Sequence, residues 1–231
     1  MGAAVTSPQA MVTVAVAEDH PVVREGLAGL LAGEGGFALA GSAGSARELR
    51  LLLDRQLPQV LVMDLMLHEE DGLALIKDLV ALLPALRIVV FSLQSEDIYA
   101  ERCLRAGAHG YVMKMEPVAT LFAAVRTVAA GGIAVSPRVN HRLLGHLGSG
   151  TPKPSGPAAL TDRELQVFRL IGLALPTRTI AEKLTISIKT VEAHRENIKN
   201  KLGLDTHAAL VARAAQWVQE TERAARQAAS A

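Results

Sequence analysis

Five times between Val12 and Gly132 a short apolar run gives way to a stretch with helical spacing. The third run is the clearest: Val60-Leu61-Val62-Met63 leads straight into Asp64. A continuous apolar run of this kind suits a strand buried on both faces, as in a parallel sheet. The other runs are Val12–Ala17, Phe37–Ala43, Arg87–Ser92 and His109–Met113. Between them the punctuation predicts helices. Pro21 suits a first helical turn, and Gly33, Gly35 and Gly36 end that helix. Ser45 is placed to cap a helix through about Arg55. Gly72–Leu83 stops at Pro84, Glu96–Ala106 closes at Gly107, and a helix opened by Pro117 runs to Gly131-Gly132. A strand-helix pair repeated five times predicts an α/β domain: a doubly wound, five-stranded parallel sheet with right-handed crossovers.

In such a sheet the binding crevice lies at the carboxyl ends of the strands. Glu18 and Asp19 follow the first strand, Asp64 ends the third, Ser92 the fourth and Lys114 the fifth. Each has an ordinary explanation: turn residues, a loop start, a helix cap, a solvated lysine. Four strand ends with complementary chemistry are a stronger signal than any one. Three carboxylates brought together repel and call for a hard cation, and Mg²⁺ fits best because it takes one or two carboxylates and favours phosphate oxygens. A carboxylate such as Asp64 can attack phosphorus and form an acyl phosphate. The metal and the Lys114 ammonium would offset the charge on the transferring group, and Ser92 would hydrogen-bond a phosphoryl oxygen.

The charge is unevenly spread. Residues 1–133 carry 10 Lys/Arg against 15 Asp/Glu, residues 134–158 carry 3 against none, and residues 159–219 carry 9 against 6. An acidic front and a basic rear suggest two modules with different partners, the rear one a nucleic-acid candidate. The single Cys103 excludes an intramolecular disulfide, residues 1–10 do not read as a signal peptide, and apolar runs stop short of a membrane span. The expectation is a soluble, cytoplasmic protein without a membrane partner.

Gly148–Pro157 is a linker by composition, preceded by a possible short helix from Ser136-Pro137 through Leu147. Beyond it Thr161 and Glu164 have capping-box spacing, followed by Leu165, Val167, Phe168, Leu170 and Ile171 at helical positions. Thr177–Leu184 forms a second helix, and Ser187 caps a third over Lys189–Leu202, stopped by Gly203. A fourth runs from His207 to about Val218. Two short helices joined by a tight turn, the second bearing polar and basic side chains, fit a helix-turn-helix in a small all-α, four-helix domain. A helical bundle with a solvated charged face fits the same periodicity.

Residues 11–133 resemble a response-regulator receiver domain. The resemblance is carried by Ala17-Glu18-Asp19-His20-Pro21-Val22-Val23-Arg24-Glu25-Gly26-Leu27, Met63-Asp64-Leu65, Asp71-Gly72, Phe91-Ser92 and Ala106–Lys114. It implies a flavodoxin-like sheet and phosphorylation of Asp64 by a histidine kinase. Glu18 and Asp19 would be the metal-binding pair, with Asp64 and the backbone carbonyl of Met66 as further ligands for Mg²⁺ (or Mn²⁺). Lys114 would contact the phosphoryl group. Ser92 and Tyr111 would change position on phosphorylation; Tyr111 equally suits a strand aromatic packed on a helix. The family usually has proline four residues after the acceptor, where this chain has His68. Loss of proline's fixed φ would loosen that loop, or the change is a tolerated surface substitution.

Residues 159–219 resemble the LuxR-type DNA-binding domain, through Leu160-Thr161, Arg163-Glu164, Ile180–Leu184, Ile186-Ser187, Lys189–His194, Ile198 and Lys201-Leu202-Gly203. The combination is that of NarL/FixJ-type regulators. It implies a recognition helix in the major groove, with Lys189, Glu192, Ala193 and Glu196 towards bases and Thr190, Arg195, Lys199 and Lys201 towards phosphates. Glu192 and Glu196 either accept from cytosine amino groups or sit at the rim. His194 is expected to be structural. The turn before the second helix departs from the family. Ala174 stands for the usual glycine and Pro176 for the usual serine cap, so that Thr177 is expected to cap instead, and Thr177 and Arg178 to be secondary DNA contacts.

The sequence therefore predicts a tail over 1–10, a receiver over 11–133, a linker over 134–158, a DNA-binding domain over 159–219 and a tail over 220–231. The expected function is a phosphorylation-controlled transcription factor, homodimeric when active, that binds a double-stranded operator. Two alternatives stand beside it. One is a DNA-binding regulator with an idle pocket. The other is an aspartate-nucleophile phosphohydrolase, which would want an acid where Met66 stands.

Overall fold

The structure is a computed structural model that describes residues 11–67, 71–148 and 156–228. His68, the segment 1–10 and most of the Gly148–Pro157 linker lie outside the described residues. The chain divides into two compact units. The first takes in the chain up to Ser92 together with Cys103–Pro137; the second takes in Leu93–Arg102 and the chain from Arg138 onward. This differs from a single boundary near residue 133, because the first part of the Glu96–Ala106 helix groups with the second unit.

In the first unit, strands β1 (Val12–Ala17), β2 (Phe37–Ala43), β3 (Val60–Met63), β4 (Arg87–Ser92) and β5 (Gly110–Met113) form one parallel sheet in the order β2-β1-β3-β4-β5. Helices α1 (Pro21–Gly33), α2 (Ala46–Arg55), α3 (Gly72–Leu82), α4 (Glu96–Ala106) and α5 (Val118–Ala129) alternate with the strands. All four β3 side chains are buried, which is why the run lacks alternation. Val60 and Val62 share a core with Val14, Val16, Leu31, Phe37, Leu121 and Val125, where Phe37 meets Phe122 edge-on at 5.7 Å. Leu61 and Met63, at the alternate positions, are as fully buried.

Register brings the strand ends level. Ala17 pairs with Met63, Met63 with Val90, and Ser92 with Met113. The next residues, Glu18, Asp64 and Lys114, therefore emerge at one edge beside Ser92. The strand order reverses between β1 and β3, which is where a crevice opens in such sheets.

The second unit contains α6 (Pro137–Gly148), a 3₁₀ turn at Gly156–Ala159, α7 (Asp162–Gly172), α8 (Thr177–Lys183), α9 (Ile188–Leu202) and α10 (His207–Ala228). The capping box forms as its spacing predicts: Glu164 N–H donates to the Thr161 hydroxyl and Thr161 N–H to the Glu164 carboxylate at 2.8 Å. Leu165, Phe168, Ile171, Ile180, Val191, Ile198, Leu210, Ala214 and Trp217 are buried, and Phe168 lies 5.4 Å from Trp217. Helix α10 continues past the expected end near Val218 to Ala228, so the segment 220–228 is helix rather than tail. Apolar periodicity fades after Val218, but alanine and arginine sustain a helix without it.

Candidate functional site

Asp64 stands where β3 ends, its N–H donating to the Ala17 carbonyl at 2.8 Å. Glu18 N–H donates to Ala43 O at 3.0 Å and Lys114 N–H to Ser92 O at 2.9 Å, so each functional residue is anchored to a neighbouring strand. The Lys114 ammonium bridges two carboxylates, donating to Asp64 Oδ2 at 2.8 Å and to Glu18 Oε2 at 2.5 Å. Burial pulls the Lys114 pKa down, yet the charges and hydrogen bonds of Asp64 and Glu18 together outweigh it and leave the pKa raised. Asp64 Oδ1 is buried and has no hydrogen-bond partner among the described residues. Ser92 and Tyr111 are both buried, and Met66 is half-buried.

His20, to which the sequence assigned no role, sits on the acid pair. Its Nδ1 lies 2.8 Å from Asp19 Oδ1 and 3.3 Å from Glu18 Oε1, and its backbone N–H donates to Glu18 Oε1 at 3.1 Å. One ligand atom from each of Glu18, Asp19 and His20 falls within 4.8 Å of the others. The donor set fits a hard cation: carboxylate oxygens predominate, and among the described residues the Asp64 Oδ1 atom meets no donor such as a buried carboxylate oxygen requires.

Downstream of Asp64 the chain is held by a close approach. A Cβ on Gly72 would lie 2.1 Å from the Leu65 carbonyl oxygen, so the start of α3 packs backbone against backbone. Asp71 caps that helix, its carboxylate accepting from Leu73 N–H at 3.0 Å.

In the second unit, Ser187 caps α9, accepting from Thr190 N–H at 3.0 Å, and its hydroxyl pairs with that of Thr190 at 2.7 Å. Lys189, Glu192, Ala193 and Glu196 are exposed along α9, as the recognition-helix pattern expects. Arg195 and Lys199 are half-buried. Burial lowers the Arg195 pKa against the opposing pull of Glu192, and its buried Nε has no hydrogen-bond partner among the described residues. Lys199 pairs with Glu196 at 2.9 Å.

Lys201, expected to face phosphates, donates to Glu164 Oε2 at 2.6 Å, tying the end of α9 to the first turn of α7. One expectation is corrected here. Thr177 does not cap α8: the N-cap is Pro176, whose ψ of 150° is extended, and proline has no side-chain acceptor to make the cap bond, so Thr177 is already the first helical residue. Ala174 has a φ of 58°, the left-handed conformation usually left to glycine, and Thr185 in the helix-turn-helix turn has 52°. Arg178 is exposed and paired with Glu182 at 3.1 Å.

Known proteins carry the same two-part arrangement. A family model described as the response regulator receiver domain matches residues 14–126, and one described as bacterial regulatory proteins of the luxR family matches residues 158–214. The oxygen regulatory protein NreC of Staphylococcus carnosus (strain TM300) is 32% identical over 204 residues, covering 86% of this chain and 94% of NreC. The chain belongs to the NarL/FixJ-type response regulators. NreC of Staphylococcus aureus (strain bovine RF122 / ET3-1) is 33% identical over the same length. Among solved structures, RcsB of Salmonella enterica serovar Typhimurium, bound to promoter P1flhDC with the phosphomimetic BeF3⁻, superposes with a TM-score of 0.69 at 25% identity, over 89% of this chain and 98% of RcsB. As a member of this family the chain is a transcription regulator with a receiver and a LuxR-type DNA-binding domain, not a dedicated enzyme, and the phosphohydrolase alternative for Asp64 is set aside. No helix among the described residues is long and apolar enough to cross a membrane.

Proposed function

We propose that phosphorylation of Asp64 by a histidine kinase controls binding of this regulator to double-stranded DNA. The observation that carries the reading is the state of Asp64: one carboxylate oxygen held by Lys114, the other buried without a donor among the described residues. An oxygen so placed is available to attack. It forms a bond to the phosphorus of a phosphohistidine, the P–N bond breaks, and the imidazole nitrogen keeps the electron pair and takes a proton. Glu18, Asp19, Asp64 and the Met66 carbonyl would hold Mg²⁺ or Mn²⁺, which supplies charge neutralisation for the transferring group. Lys114 stays on the Asp64 side and turns from Glu18 to a phosphoryl oxygen. Ser92 donates its hydroxyl to another, and Tyr111 follows into the space this vacates.

On Asp64 the phosphoryl group carries a charge of about −2 in place of the carboxylate's −1, so the receiver, taken as residues 11–133, becomes more negative by about one charge. The DNA-binding domain, residues 159–219, then engages paired half-sites as a homodimer, with Lys189, Glu192, Ala193 and Glu196 towards base edges. Thr190, Arg195, Lys199 and the less central Arg178 face phosphates. RcsB, whose dimers have been seen on DNA, supports engagement as a dimer. The proposed site of action is the cytoplasm.

The test is intact mass after incubation with a small phosphodonor and Mg²⁺, followed by operator binding of both forms at equal salt. One added phosphate, lost in Asp64→Asn and without the metal, with tighter binding by the modified form, is the expected result. No adduct, or equal binding by the two forms, overturns the control by phosphorylation and favours a regulator whose pocket is idle.

A further inference from the structure

The turn that presents Glu18 and Asp19 is tied to β2 by Glu18 N–H on Ala43 O at 3.0 Å and folded on itself by His20 N–H on Glu18 Oε1 at 3.1 Å. Helix α1 begins at Pro21, its N-cap is His20, and no side chain caps it. The Glu18 side chain faces Lys114, and Asp19 and His20 face each other. What grips the turn from behind is Arg24, one helical turn into α1. Its Nη1 donates to the Glu18 backbone carbonyl at 2.8 Å and reaches the Asp19 carbonyl at 3.5 Å.

That guanidinium passes through a space kept open by Gly44, at the end of β2. A Cβ on Gly44 would lie 2.7 Å from Arg24 Nη1 and 3.3 Å from its Cζ. Gly44 is not in the left-handed region, so its backbone does not call for glycine; the guanidinium does. The slot itself is fixed from α2. Gly44 N–H donates to Glu48 Oε2 at 2.7 Å, and Glu48 N–H donates to the Ser45 cap at 3.2 Å. The Glu48 Oε2 atom would be 3.4 Å from the added Cβ, so the carboxylate borders the same space.

We propose that Arg24, seated in the Gly44 slot, is a positioning residue that sets the geometry of the Glu18–Asp19 pair for a divalent cation. It acts on the backbone of the two acids, which leaves their carboxylates as cation ligands. The proposal rests on the cation-binding reading of the pocket given above. Residues that orient metal ligands in this way typically contribute ten- to a hundredfold to metal affinity.

The experiment is Mn²⁺ binding to the full chain, followed by the free-ion electron paramagnetic resonance signal, well below the thermal midpoint of each variant. Asp19→Asn is the reference for the pocket itself. Arg24→Ala and Gly44→Ala are each expected to weaken Mn²⁺ about tenfold while circular dichroism stays that of the wild type. Arg24→Lys is expected to recover most of the loss, since an ammonium can still reach the Glu18 carbonyl. Gly44→Ala should then cost less in the Arg24→Lys background, because the slimmer side chain does not need the slot. Wild-type affinity in both Arg24→Ala and Gly44→Ala, with Asp19→Asn weakened, overturns the role of Arg24 and leaves the pocket reading standing. No Mn²⁺ binding by the wild type, or none of it lost in Asp19→Asn, overturns the pocket reading itself and this inference with it.

Discussion

Lys114 holds two buried carboxylates that would otherwise face each other. Removing one member of such a group leaves uncompensated charge and typically costs about 3–5 kcal/mol. Lys114→Met is therefore expected to lower stability towards urea by about 3 kcal/mol, with part of the loss recovered in millimolar Mg²⁺, because a cation can take the ammonium's place. Failure of Mg²⁺ to recover anything would count against a cation pocket. The Lys114 contribution has a defined pH window: with its folded pKa raised, it is fully present below the ordinary value of 10.5 and is lost as pH rises through the folded pKa. His109 works at the other end of the scale. Burial, and then the Arg87 guanidinium, lower its pKa, so the folded chain resists its protonation. Stability should be full above pH 6.5 and decline as pH falls from there through the folded pKa, and His109→Gln should flatten that decline in urea titrations. On the DNA side, Lys189→Ala is expected to reduce the salt slope of binding by about 1, whereas Lys201→Ala should leave the slope alone and lower stability, since it strands buried Glu164. That last contrast shows where the sequence stops being informative. Asp64, Glu18 and Lys114 were legible because each ends an apolar run. The Glu164–Lys201 pair and the Arg24–Glu18 bond join residues by tertiary geometry, and no local pattern announces them.

At the level of elements, starts were more legible than ends. Ser45, Asp71, Thr161 and Ser187 each cap the helix they precede, and each is a residue whose side chain competes for backbone N–H groups. Ends without a glycine such as Gly107 or Gly203 lack such markers, and α10 outruns its apolar stripe. The turns around α8 carry strain that the sequence disclosed in part. Ala174 stands where the family usually has glycine, and its φ of 58° is the left-handed conformation that glycine adopts without a Cβ penalty. Thr185, β-branched at a φ of 52°, gave no warning. Ala174→Gly is expected to raise the stability of the DNA-binding domain by about 1 kcal/mol in chemical unfolding, and Pro176→Ser, which restores a side-chain cap, by a similar amount. Gly72→Ala should do the opposite. Its Cβ meets the Leu65 carbonyl, and relief requires shifting the backbone next to Asp64, at a cost of about 1–3 kcal/mol.

Across the whole chain, the acidic front and basic rear match the division between an acidic cluster in the receiver and a LuxR-type DNA-binding domain. The family architecture was readable because both domains place their functional groups at topologically forced positions, strand ends in one and the third helix of the bundle in the other. The partition of α4 between the two compact units was not readable, since a helix closed by Gly107 looks the same whichever unit it joins. One packing detail has a practical side. Trp217, the chain's only tryptophan, lies against Phe168 in the core of the DNA-binding domain. Its fluorescence, excited beyond the absorption of tyrosine, is thus a native reporter of that domain alone. Any change in that emission when Asp64 is phosphorylated would be a message received at the far end of the chain, recorded without attaching a dye.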